Sequence, residues 1–324
     1  MQQNPAPTLP VIDLTRLHDG GDEAFEEVAA EISSACALSG FFYVSGHGIP
    51  EEAIEALRET SRHFFAQSDG HKRQIAINQH NRGYLGPGEA RMRGAAKTDM
   101  KEVFFWGRDL PADDPDVLAG IPLCGPNLWP DAPAGFREHV VAYAEAVGRT
   151  GDLLLQAIAV SLGAERGFFT SRYERPMLRG QLIHYPPLPE DAPSDQFGVA
   201  PHSDFGCITL LLQQTAGLEV LAKNDEWIAA PPLPGTLVIN IGDLLERWSN
   251  NRLPSTRHRV RNQSRDGRYS IAMFYDPSPR AVVDPRDLGA PEPAAFAPVE
   301  AAEYVLGRNK GAFAHYDPAI KEPA

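Results

Sequence analysis

A mainly β fold with flanking helices is predicted for this chain, with an N-terminal helical layer supporting a C-terminal β-sandwich of jelly-roll type. The first observation is a change of hydrophobic period. Up to about residue 162 apolar residues recur at helical spacing, and from about 179 they fall in short runs. The second is punctuation, since Pro, Gly or Asn clusters separate six such runs. Many short strands with turn signals between them favour a sandwich or barrel over a parallel α/β sheet.

The elements follow in order. Residues 22–38 read as an amphipathic helix with Phe25, Val28, Ile32 and Cys36 on one face, ended by Gly40. Phe41–Val44 is a short apolar strand running into the Gly46-His47-Gly48 turn, where His47 is expected to make a turn-stabilising hydrogen bond. Pro50 opens a second helix that buries Ile54, Leu57, Phe64 and Phe65. Residues 67–135 read as irregular, rich in Gly and Pro. A helix over about 136–162 carries a stripe of Tyr143, Val147, Leu154, Ile158 and Leu162 and stops at Gly163. Strands are expected at Gln181–Tyr185, Ile208–Gln213, Leu218–Leu221, Leu237–Ile241, Arg257–Arg261 and Tyr269–Tyr275. A Pro/Ala-rich surface loop, 289–298, precedes a final helix over about 298–307.

With 324 residues the chain can bury a full core, and 43% hydrophobic with 23% charged residues is a globular balance. The formal charge of −13 argues against nucleic acid or an anionic membrane as partner. Cys36, Cys124 and Cys207 are few and scattered, which suits a reducing compartment without a disulfide framework. The opening residues show no secretory signal and no apolar run is long enough to span a membrane. A cytoplasmic enzyme, monomeric or weakly oligomeric and acting on a small molecule, is therefore expected.

Pro201-His202-Ser203-Asp204-Phe205-Gly206 places His202 and Asp204 two apart, on one face of an extended backbone. A third ligand must come from another strand, and His258 in Thr256-Arg257-His258-Arg259-Val260 is the best candidate. Two imidazoles and one carboxylate with open opposite positions are the ligand set of non-haem Fe(II) oxygenases. An H-x-D pair recurs by chance, and its company decides its meaning. Arg268 and Ser270 share a strand face with Ala272, and a guanidinium fork beside a hydroxyl suits a carboxylate-bearing co-substrate. Phe205 and Phe274 are candidate pocket walls. His184, Trp106 and Trp248 read as structural, and Arg82, Tyr84, Arg91 and Arg93 as solvated surface that could meet an acidic substrate.

Taken with Leu9-Pro10-Val11-Ile12-Asp13-Leu14, Gly40-Phe41-Phe42-Tyr43-Val44, Gly46-His47-Gly48-Ile49, Gln181 to Pro187, Asn240-Ile241-Gly242-Asp243 and Ser255 to Val260, the chain resembles the isopenicillin N synthase-like family of Fe(II)/2-oxoglutarate-dependent dioxygenases. The resemblance covers nearly the whole chain. It implies a double-stranded β-helix (jelly-roll) core and Fe(II) held by His202, Asp204 and His258, with no catalytic side chain beyond that centre. It also implies 2-oxoglutarate bound through Arg268, Ser270 and Tyr185, and O2 as oxidant. The N-terminal dioxygenase region is expected at 8–115, helical support at 116–178, the core at 179–281 and a C-terminal extension at 282–324. Ile183 stands where many members have Asn, two positions before Tyr185, which implies that a contact near the iron-proximal end of 2-oxoglutarate is either missing or supplied by another group. Three alternatives remain at this stage: an Fe(II) oxidase of the same fold that does not use 2-oxoglutarate, an ethylene- and succinate-forming enzyme, and a non-catalytic ligand-binding jelly roll.

Overall fold

A computed structural model of the chain describes residues 8–189, 191–193, 195–262 and 265–320. In chain order the N-terminal part runs β1 (Val11–Asp13), α1 (Thr15–His18), α2 (Asp22–Leu38), β2 (Phe41–Ser45), α3 (Glu51–Phe65), α4 (Asp69–Lys72), β3 (Gly83–Leu85), β4 (Glu102–Gly107), α5 (Pro115–Leu118) and α6 (Phe136–Ser161). The rest runs β5 (Met177–Tyr185), β6 (Val199–His202), β7 (Ile208–Gln213), β8 (Leu218–Leu221), β9 (Trp227–Ala229), β10 (Leu237–Ile241), α7 (Asp243–Trp248), β11 (His258–Val260), β12 (Arg268–Asp276), β13 (Val282–Val283), β14 (Val299–Glu300) and α8 (Ala301–Lys310).

An eight-stranded sheet, β1-β2-β10-β7-β12-β5-β4-β3, faces a four-stranded sheet, β6-β11-β8-β9. The period-2 alternation of β12 sorts its side chains into two layers. Ile271, Met273 and Tyr275 join the cluster between the large sheet and the helices, while Ala272 and Phe274 face the interior between the sheets. Helix α6 backs the large sheet with Val140, Tyr143, Val147, Leu154 and Ile158 buried. Helix α2 buries Phe25, Val28, Ile32 and Cys36 as its spacing predicts, and its acidic first turn suits the positive end of the helix dipole. Gly40, at φ +68, lets the chain turn straight into β2, and a Cβ there would lie 2.5 Å from the Pro254 carbonyl oxygen.

The structure corrects the sequence reading in several places. Residues 67–135 are not irregular throughout, because β3 and β4 extend the large sheet along the edge of β5. Strand β4 is buried at all six positions, so Val103-Phe104-Phe105-Trp106 shows no alternation to mark it. The N-terminal layer likewise supplies strands at the other edge, where β2 pairs with β10. The final helix runs Ala301–Lys310 and passes through Gly307. Arg82 and Tyr84 are buried, not solvated. The 289–298 stretch is a largely exposed loop as expected. His47 accepts a hydrogen bond from the Ile49 amide within its turn, and Trp106 and Trp248 are buried packing residues.

Candidate metal centre

Antiparallel pairing of β11 with β6 sets His258 directly opposite His202 and brings their ring centroids to 4.2 Å. Strand β6 ends at His202, so Asp204 does not meet it through strand alternation. Instead the loop after β6 folds back onto the start of α7. There the Asp243 amide donates to the Asp204 carbonyl and the Leu244 amide to that of Gly206. Asp204 Oδ1 then lies 3.7 Å from His202 Nε2 and 3.6 Å from His258 Nε2. One donor atom from each residue falls within 4.8 Å of the others.

The protonation pattern follows from the hydrogen bonds. His202 Nδ1 lies 2.8 Å from the Ala200 carbonyl and His258 Nδ1 lies 3.2 Å from that of Thr256. A carbonyl only accepts, so each ring donates from Nδ1 and turns Nε2 toward Asp204. Burial, aided by the neighbouring His258, pushes the His202 pKa down to about 3, so its imidazole is neutral and able to ligate. Burial alone would raise the Asp204 carboxyl. The imidazoles of His258 and His202, with hydrogen bonds from Thr209 and Asn240, outweigh it and hold the group ionised. Thr209 Oγ1 and Asn240 Nδ2 both donate to Oδ2, at 2.5 and 2.8 Å, which leaves Oδ1 facing the histidines. Two imidazoles and one carboxylate converging this way fit Fe(II).

Arg268 lies deeper between the sheets, fully buried, paired across the ladder with Tyr185. Its guanidinium donates to Ser270 Oγ at 3.1 Å and Gln213 Oε1 at 3.0 Å and sits 4.7 Å from the Tyr185 ring centroid. Among the described residues it makes no ion pair, and its buried Nε has no partner. A buried cation left in this state fits the carboxylate of an acidic co-substrate. Ile183 lies among apolar residues on the same face, so it offers no polar contact.

Beside His202 and Asp204 opens a cavity lined by Phe105, Phe205, Phe274 and Phe313 and by Arg82, Lys101, Arg179 and Asn309. Phe205 and Phe274 are thus walls, as expected. His184 points to the other face of β5, where it lies 2.6 Å from Glu102 and stacks on Tyr269. Sequence reasoning missed Thr209, Asn240, Gln213 and Lys101. Asn240 was visible in its motif but carried no role, and Lys101 was hidden because β4 was.

Comparisons with known proteins agree with this geometry. Residues 171–277 match the profile of the 2OG-Fe(II) oxygenase superfamily, and residues 9–132 match that described as non-haem dioxygenase in morphine synthesis N-terminal. A 2-oxoglutarate-Fe(II) type oxidoreductase of Emericella nidulans is 33% identical, the alignment covering 98% of this chain and 95% of that protein. A probable iron/ascorbate oxidoreductase of Dictyostelium discoideum is 35% identical over 83% of this chain and 81% of its own. Among solved structures, a full-length Neurospora crassa protein in complex with alpha-KG and thymine superposes with a TM-score of 0.82 at 27% identity, covering 94% of this chain and 97% of that one. A rice dioxygenase for auxin oxidation gives 0.72 at 30% identity, covering 93% and 94%.

The chain belongs to the 2OG-Fe(II) oxygenase superfamily. It is a 2-oxoglutarate-dependent dioxygenase with a jelly-roll core, using Fe(II), 2-oxoglutarate and O2. Neither the oxidase lacking 2-oxoglutarate nor the non-catalytic binding protein is retained.

Proposed function

We propose that His202, Asp204 and His258 hold the Fe(II), that Arg268, Ser270 and Tyr185 receive the distal carboxylate of 2-oxoglutarate, and that a small molecule is oxidised in the phenylalanine-walled cavity. The observation carrying this reading is that one cavity is lined both by metal-ligating side chains and by an apolar wall able to hold a substrate C–H against them. Bound Fe(II) would supply the redox chemistry that couples oxidative decarboxylation of 2-oxoglutarate, to succinate and carbon dioxide, to oxidation of the substrate by O2.

The chain's own residues provide position and environment. Thr209 and Asn240 fix which oxygen of Asp204 faces the metal. The carbonyls of Ala200 and Thr256 fix the tautomers of the two histidines. Arg268 and Ser270 orient the co-substrate by its far end, and Gln213 holds the guanidinium in place. Phe205 and Phe274 exclude water from the reacting face.

No helix among the described residues is long and apolar enough to cross a membrane, and Cys36, Cys124 and Cys207 are buried free thiols, which supports a reducing compartment. Incubation with Fe(II), ascorbate, 2-oxoglutarate and oxygen tests the reading. It predicts slow succinate release without substrate, lost without iron and accelerated by the right small molecule; no succinate under any condition would overturn it.

A further inference from the structure

Three cationic side chains line the substrate cavity, and only two of them are neutralised by ion pairs among the described residues. Lys101 Nζ lies 3.3 Å from Asp99, and Arg179 donates from Nε and Nη2 to Asp276 Oδ2 at 2.9 and 2.6 Å. Arg82, only 2% exposed, makes no ion pair among the described residues. Its Nη1 and Nη2 groups donate to the carbonyls of His80, Asn81 and Leu123, and its buried Nε has no partner among the described residues. Asp109 acts on it only from beyond ion-pair distance and is itself engaged by Arg137. Burial pushes the Arg82 pKa down to about 10, which leaves it charged at neutral pH.

The metal centre does not supply the missing counter-charge. With Fe(II) and the 2-oxoglutarate dianion in place, Asp204 and the dianion are balanced by the metal and Arg268. One positive charge is then left over, at Arg82. A buried cation without an anion is costly, and its neighbour Arg179 adds repulsion. A second polar group on the same cavity is also unsatisfied: Asn309, 1% exposed on α8, has a buried Nδ2 with no acceptor among the described residues. The rest of the lining is largely apolar, with Phe313 packed edge-on against Phe105 at 5.5 Å.

Resting on the function proposed above, we infer that the substrate is a small, largely apolar carboxylic acid bound as a monoanion, its carboxylate taken by Arg82 and its body by the phenylalanine wall. Three bonds to backbone carbonyls would also suit a purely structural Arg82, clamping the start of β3 to the loop at Leu123. That role predicts no dependence on ligand charge.

The test compares acids with their isosteric amides on the holoenzyme: benzoate, phenylacetate and hexanoate against benzamide, phenylacetamide and hexanamide. Binding is measured by anaerobic calorimetry with Fe(II) and 2-oxoglutarate present, and succinate release is followed in air. At least one acid is expected to bind about tenfold or more tighter than its amide. Arg82→Gln should collapse that ratio toward one, with thermal melting as the check on folding. If Arg82→Gln does not fold, Asn309→Leu should lower acid affinity several-fold and lower amide affinity by less, because its Nδ2 donor faces the same cavity and bonds a charged acceptor more strongly. Equal binding of acids and amides, or no acid bound at about 1 mM, would overturn the inference. Substrate-free succinate release keeps the two claims apart: if it persists while acids show no preference, only the substrate class is wrong.

Discussion

Replacing Asn240 by Leu removes a donor, at similar side-chain size, from the buried oxygen of Asp204 that faces away from the histidines. In the native chain that oxygen accepts from Asn240 Nδ2 at 2.8 Å and Thr209 Oγ1 at 2.5 Å. A hydrogen bond to a charged acceptor contributes about 1.5–3 kcal/mol, and loss of a group orienting a metal ligand costs roughly 10–100-fold in affinity. Asn240→Leu should therefore weaken Fe(II) binding about 10–100-fold. The isosteric Thr209→Val should weaken it by a similar factor. Because both donors serve one oxygen, the double variant should lose more than either single change but depart from the product of the two. Anaerobic calorimetric titration with Fe(II) measures the affinities, and thermal melting of the metal-free variants separates folding from binding. Native-like Fe(II) affinity in both folded single variants would refute the reasoning.

Other contacts set further expectations. Arg268→Lys substitutes a point charge for a guanidinium that holds Ser270 and Gln213 together, so the KM for 2-oxoglutarate should rise about tenfold or more; steady-state succinate assays decide it. Glu102 receives Lys72, Tyr84 and His184 in one buried cluster between α4, β3 and β5, and Glu102→Gln would leave Lys72 as a buried unpaired cation. A loss of about 3–5 kcal/mol is expected in denaturant unfolding. His315, whose Nε2 hydrogen-bonds Asn81 Oδ1, has its pKa pushed down to about 4 by burial. The unfolded chain therefore binds this proton first. Stability from the neutral ring is present above about pH 6.5 and is lost as pH falls toward about 4. His315→Gln should flatten that part of the melting-temperature profile between about pH 6.5 and 4.

The sequence made the proposed iron ligands readable by residue type, and the Arg268–Ser270 pair readable by residue type and strand parity. The face shared by Arg268, Ser270 and Ala272 is the face the structure shows turned inward. Less legible were elements whose signal depends on both neighbours being known. Strand β4 is buried on both faces, so its apolar run has no period. Arg82 looks like surface in a Gly-rich segment until the Leu123 carbonyl is brought to it across 41 residues. Asp204 reaches the histidines through a loop pinned by α7, a tertiary fact that its two-residue spacing from His202 only mimics.

The central claim is one Fe(II) held by three named side chains. Anaerobic Fe(II) titration of the native chain, beside folded His202→Ala, Asp204→Ala and His258→Ala variants, tests it most directly. One tightly bound Fe(II) per native chain, with affinity largely lost in each variant, is the predicted result. Native-like Fe(II) binding in any one of the three would contradict it.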